Sequence, residues 1–256
     1  INELLNMSLF DIQMSFGQQY QVDGLERRIL SSPYVSSVES WISTSVVRKR
    51  PNFTEGQNYT LLGMYPDSVF VSPKMTAGQW LPPYRNESRF NVVIPPDLLE
   101  AEPDLYVGGT LRLKLGDKEQ DWTIVGVLET NQLKANDIYA YYETVATFSN
   151  APNLTNRVLI DTVDSVDPFD LAILADQLTV YLEDRNFDVV SVFMNTDIII
   201  TITEGFTALV TLLLGMAILV ALVAGLGLTG TMSLNVLERT REIGVMRAVG
   251  AGSTII

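Results

Sequence analysis

The chain has 256 residues, 47% hydrophobic and 18% charged, with a formal net charge of −13 and neither cysteine nor histidine. That length gives one or two domains with a real core, and the missing residue types exclude thiolate or imidazole metal sites, disulfide staples, a thiol nucleophile and any Ser-His-Asp triad. An isoelectric point near 4.4 argues against nucleic acid as a partner, because phosphate binding relies on a basic face.

Taken from the N-terminus, Leu25, Ile29 and Leu30 predict a short helix that Ser31-Ser32-Pro33 stops. Residues 34–49, rich in Val, Ser, Ile and Trp, read as extended. The Pro-rich stretches Leu81-Pro-Pro-Tyr84 and Ile94-Pro-Pro-Asp97 read as turns bounding strands. Leu111, Leu113 and Leu115 alternate with Arg112 and Lys114, Gly116-Asp117 punctuates, and 122–128 returns, which predicts a hairpin. Asp167 suits a helix cap and Pro168 the first helical position, with Leu171, Leu174, Leu178 and Tyr181 or Leu182 as the apolar face. A strand over 187–193 follows, and a long helix starts near Asn195.

Two helix-plus-strand units, at 20–65 and 155–193, thus flank a strand-rich middle at about 66–150. The fold class expected is an α+β outer domain with a β-rich insertion, then a long stalk and transmembrane helix and a juxtamembrane amphipathic helix. The boundaries expected are 1–195 for the outer domain, 196–233 for stalk and span, and 234–256 for the juxtamembrane segment.

Charge is unevenly spread. Residues 1–204 carry a balance of −14, residues 205–256 a balance of +1, and 205–237 hold no charge at all. That uncharged run exceeds the roughly 20 apolar residues a spanning helix needs, and at 1.5 Å per residue it would reach roughly 50 Å against a hydrocarbon core of about 30 Å. It reads as a span that tilts or projects beyond the bilayer. Arg239, Arg241 and Arg247 mark its C-terminal side as cytoplasmic, since the nearest base on the other side is Arg185. Residues 1–204 are then extracytoplasmic. With Ile1 at its start and no signal peptide, the sequence reads as a piece of a longer, multi-pass protein of the cell membrane.

Gly225-Leu-Gly-Leu-Thr-Gly230 matches a dinucleotide fingerprint in letters only, because it ends an apolar helix instead of following a strand. Packing explains it better. Ala217, Ala221, Gly225, Thr229 and Ser233 recur every four residues and suit close helix contact in lipid.

No catalytic or metal site is expected. The acids Glu100, Glu102 and Asp104 and the run Asp161, Asp164, Asp167, Asp170 read as a solvated acidic surface; Val163 and Val166 stand where a calcium loop needs oxygens or glycine. No G-x-S-x-G or S-x-x-K context raises any serine. Sequons at Asn6, Asn52, Asn58, Asn86 and Asn153 all fall on the outer side.

After the span, charges at 238, 239, 241 and 242 alternate with apolar Ile243, Met246 and Val249 at helical spacing. Such a segment lies on lipid or docks into a protein groove, and three bases against two acids favour the groove.

Glu238-Arg-Thr-Arg-Glu-Ile-Gly-Val-Met-Arg-Ala-Val-Gly-Ala251 resembles the signature of FtsX-like permeases, membrane subunits of ABC transporters that include the MacB type. The outer part is similar to the family's extracytoplasmic core in Gly78-Gln-Trp-Leu81, in Val107-Gly-Gly-Thr-Leu-Arg-Leu113 and in Thr123-Ile-Val-Gly-Val127. Gly108-Gly109 stands where the family often has Gly-Asp. The resemblance implies a non-catalytic permease that binds no cofactor itself, ATP being bound by a partner ABC ATPase subunit. It also implies a second permease copy or half as partner, with membrane lipid around the span. Carried over to this chain, Glu238, Arg241, Glu242 and Arg247 would contact the ATPase, Ile243, Met246 and Val249 would fill its groove, and Gly244 and Gly250 would allow close approach and helix termination. Motion would pass along the stalk to the outer domain for export, extraction or activation of an envelope substrate that the sequence does not identify.

Two other readings stand beside it. One is a single-span receptor or adhesion protein with a ligand-binding outer domain; the other is a membrane-tethered hydrolase acting through carboxylates.

Overall fold

The computed structural model describes residues 9–129, 136–163 and 168–248. Two compact units emerge, Ile1–Ile199 and Ile200–Ile256. The elements in order are β1 (Ile12–Gln21), α1 (Val22–Ile29), β2 (Val35–Lys49), β3 (Glu55–Met64), β4 (Met75–Gly78), β5 (Asn91–Ile94), α2 (Pro96–Ala101), β6 (Thr110–Leu115), β7 (Lys118–Leu128), β8 (Asp137–Tyr141), α3 (Tyr142–Phe148), β9 (Leu154–Thr162), α4 (Pro168–Glu183), β10 (Val189–Met194) and α5 (Asn195–Ala248).

In the first unit, β10, β1, β9 and the first half of β2 lie side by side, all antiparallel. With α1 between β1 and β2 and α4 between β9 and β10, this is a β-α-β-β-α-β connectivity whose central hairpin has been opened by a long insertion. Both helices pack on one face of that sheet, where Ile12, Met14, Phe16, Val158 and Ile160 meet Leu25, Ile29, Leu171, Leu174, Leu178 and Leu182. The leucines of α4 recur at three- and four-residue spacing and are at most 6% exposed, so each contributes about 1.5–3 kcal/mol of burial. The Asp167 cap lies outside the described residues. At the other end Asn186 takes φ +64° and the Phe187 amide donates to the Leu182 carbonyl, a left-handed helix stop that delays β10 to Val189, two residues after the expected start.

The insertion closes on itself. β2 leaves β9 after Trp41 and pairs with β3 from Ile42, and the ladder then runs through β8, β5, β7 and β6 back to β2 at Val47 and Arg48. Sequence periodicity shows the strands but not this six-stranded ring, which draws β3 and the second half of β2 from before residue 66. Its interior holds Val46, Leu61, Val92, Leu111, Leu113, Ile124 and Trp122, all fully buried. The Trp122 ring sits edge-on to Phe90 and Phe148 at 5.6 and 5.9 Å. The expected hairpin is β6–β7: Leu115 faces Lys118, and Gly116 takes φ +58° at the first turn position, the pattern of a type II′ turn.

In the second unit, α5 continues through Ala248 without interruption, so the juxtamembrane segment is the last turns of the same helix.

Candidate functional site

The 42 residues Thr207–Ala248 are long and apolar enough to cross a membrane. None of their side chains is buried within the chain: Leu213, Leu226 and Leu237 are 57, 74 and 65% exposed. Apolar groups on that scale need lipid or other helices around them. Several of the threonine hydroxyls are satisfied internally. Thr211, Thr229 and Thr231 donate to the carbonyls four residues back, at 2.8, 2.8 and 2.6 Å, which removes the cost of an unpaired hydroxyl in hydrocarbon.

Ala217, Ala221, Gly225, Thr229 and Ser233 all lie on α5 with exposed side chains or none. Steps of four advance the helix by about 40° beyond a full turn, so the five follow one inclined ridge instead of a straight stripe. Nothing within 4 Å would meet a Cβ on Gly225.

The docking residues divide around the axis. Glu238, Arg241, Glu242, Val245 and Met246 stand at i, i+3, i+4, i+7 and i+8 and form one continuous face, charged first and apolar after. Ile243 and Arg247 lie off that face, about 100° and 140° around the axis from Glu242, with Gly244 beyond them. The structure therefore gathers Met246 with the three charges and separates Ile243 and Arg247 from them. All are exposed, and no ion pair among the described residues joins these charges. Val249 and Gly250 lie outside the described residues.

On the outer unit no group of three His, Cys, Asp or Glu among the described residues could hold a metal ion. The expected solvated acidic surface has one clear exception. Glu102 is 3% exposed and is held by Arg48, itself 2% exposed, and by Arg50, whose Nε and Nη2 reach it at 2.9 and 2.8 Å. Arg48 also donates to Asp104 at 2.6 Å, and that hydrogen bond holds the Asp104 carboxyl below its ordinary range. A Cβ on Gly56 would press on Glu102 and Arg48, so glycine makes room for the cluster. The signal was in the strand period: Ile42, Val46 and Arg48 share the inward phase of β2, and a base there requires a buried acid.

Residues 214–254 match the family described as FtsX-like permease C-terminal. A macrolide export ATP-binding/permease protein, MacB, of Mannheimia succiniciproducens is 34% identical over 140 residues, 52% of this chain and 21% of the relative. By these two matches the chain resembles MacB/FtsX-like permeases. It spans about a fifth of that MacB protein's length. The outer unit has the fold of the periplasmic region of MacB from Actinobacillus actinomycetemcomitans. That likeness has a TM-score of 0.50 at 14% identity, over 79% of this chain and 97% of the other. The extracellular domain of the ABC-type transporter YknZ from Gram-positive bacteria aligns at a TM-score of 0.47, 13% identity, 71% of this chain and 99% of that one.

Proposed function

We propose that this chain relays conformational change from an ABC ATPase on the cytoplasmic side to the outer domain, acting on an envelope substrate without catalysing a reaction itself. The observation that carries the reading is the continuity of α5, which follows β10 directly and runs to Ala248 with no charged residue from 205 to 237. A helix with no ionisable group in its apolar core offers no ion pathway, but it can transmit displacement.

The face formed by Glu238, Arg241, Glu242 and Met246 is the surface that would meet the ATPase, with Ile243, Gly244 and Arg247 flanking it. ATP binds to that partner, which is either a separate subunit or, as the name of the Mannheimia relative joins ATP-binding and permease, part of the same polypeptide. In this reading the full protein is multi-pass with residues 234–256 cytoplasmic, and the Ala217–Ser233 ridge packs against a second permease copy or half. The three arginines after the span support that orientation.

The test is Arg241→Glu with Glu242→Lys in the complete transporter in proteoliposomes. ATP hydrolysis is expected to continue while ATP-dependent movement of the outer domain, read from a spectroscopic label, falls about tenfold, the scale of one lost charge-assisted contact. Normal coupling in that variant would falsify the docking assignment.

A further inference from the structure

We propose that the outer unit carries a binding site for an organic cation of the alkyl- or quaternary-ammonium class, in the cleft between the turn after β3, the 81–84 strap and the start of α3.

The cleft has a volume of about 400 Å³, with Tyr65, Asp67, Leu81, Tyr84 and Glu143 among its lining residues. That volume lies within the range of roughly 300–1,000 Å³ typical of small-molecule sites. Its aromatic walls are held from behind. Tyr65 stacks on Tyr142 with centroids 5.2 Å apart and planes at 23°, and the Tyr142 hydroxyl donates to the Leu154 carbonyl at 2.9 Å. Tyr84 sits edge-on to Tyr141 at 5.2 Å, and the Tyr141 hydroxyl donates to the Pro82 carbonyl at 2.8 Å, fixing the strap that bears Tyr84. Leu81, 4% exposed, anchors the same strap in the core.

Every ionisable carboxyl at this cleft points to one kind of ligand. Asp67 and Glu143 line it, neither has an ion-pair partner among the described residues, and no base lines it. Burial foremost, then Tyr142, Glu143, Glu26 and Glu39, push the Tyr65 phenol up, so its ring stays neutral. Burial, with Glu143 and Glu26 behind it, raises Tyr142 to about 12. Neutral phenol rings present electron-rich faces, and carboxylates add a negative field. An anion would be repelled, and a neutral apolar molecule would leave two carboxylates desolvated without return. A soft organic cation satisfies rings and carboxylates together.

The experiment uses the full chain in maltoside micelles, which contribute no ammonium headgroup. Choline is titrated against its neutral carbon isostere, 3,3-dimethylbutan-1-ol, with binding read by ligand-observed NMR. Choline is expected to bind saturably in the millimolar range and the isostere about tenfold more weakly, and Tyr84→Leu or the pair Asp67→Asn with Glu143→Gln to weaken choline about fivefold while Tyr84→Phe does not. Tyr84, Asp67 and Glu143 are all exposed, so the variants keep the core intact. Equal binding of the isostere, unchanged binding in the variants, or no saturable binding overturns the proposal. No nucleotide enters the measurement, so its outcome is independent of the relay proposed above.

Discussion

Gly78 and Gly126 are register partners across β4 and β7, and neither position has room for a Cβ. One on Gly78 would overlap the Val125 carbonyl, and one on Gly126 would overlap the Gln79 carbonyl and the end of Met75. Gly78 also takes φ +74°. Because the obstacles are mainly backbone, they do not move aside as a side-chain tip would. Gly126→Ala is expected to destabilise the outer unit by about 3 kcal/mol, at the upper end of overpacking costs. Gly116→Ala, with φ +58° but open space around it, should cost only about 1 kcal/mol from the left-handed backbone. Urea unfolding followed through tryptophan fluorescence compares them, and equal midpoints would show that β4 yields to accommodate the methyl.

These glycines also show what the sequence made legible. The stretches 78–81, 107–113 and 123–127 that carried the family resemblance meet in space: Gly78 faces Gly126, the Gly108 amide donates to the Ile124 carbonyl at 2.7 Å, and the Ile124 amide donates to Gly109 at 3.0 Å. Helices and strands were readable because their periods are local, as in the Leu171–Leu182 face and the 111–115 alternation. Ring closure was not, since β2 meets β6 only through Val47 and Arg48, a short contact between distant segments that leaves no periodic trace. On α5 the spacing of Glu238, Arg241 and Glu242 placed them together from sequence alone. It did not show that Ile243 and Arg247 turn away from them, which follows only once the helix is continuous.

Arg48 and Glu102 are both buried, so removing one leaves the other charge without compensation. Glu102→Ala is expected to cost about 3–5 kcal/mol. Arg48→Met with Glu102→Leu should cost clearly less than either single change, because the pair's desolvation penalty goes with it. Arg50, 37% exposed at its side chain, should cost less than Arg48 when replaced by Ala. A double-mutant cycle in urea reads the coupling; strictly additive losses would mean that the two side chains do not act as a pair.

Glu39 behaves oppositely to Asp104 with pH. Burial raises the Glu39 carboxyl above its ordinary 4.5, partly offset by hydrogen bonds from Trp41 Nε1, at 2.6 Å, and Ser68. The folded state therefore holds this proton more tightly than the unfolded chain, so stability falls as pH rises from 4.5 through the raised value and then levels off. Asp104, held low by Arg48, contributes stability that is present above its ordinary 3.8 and lost as pH drops through its depressed value. Glu39→Gln keeps an acceptor for Trp41 and should raise the melting temperature at pH 7 while leaving it unchanged below pH 4.5. A melting temperature at pH 7 no higher than the parent's would mean that burial does not penalise this charge.

Orientation can be read directly because these 256 residues hold no cysteine, so each introduced thiol is unique once any cysteine elsewhere in the complete protein is replaced by serine. Asn58 is exposed on β3 of the outer unit, and Thr240 is exposed on α5 among Arg239, Arg241 and Arg247. Arginines this close to a span are retained on the cytoplasmic side. In intact cells expressing the complete protein, a membrane-impermeant maleimide should label Asn58→Cys in full and Thr240→Cys only after permeabilisation. The Thr240 hydroxyl bonds only the Val236 carbonyl of its own helix, at 2.6 Å, so the substitution leaves the arginines in place to set the topology. Labelling of Thr240→Cys in unbroken cells would put the charged face outside, away from any source of ATP, and the relay would lose its engine.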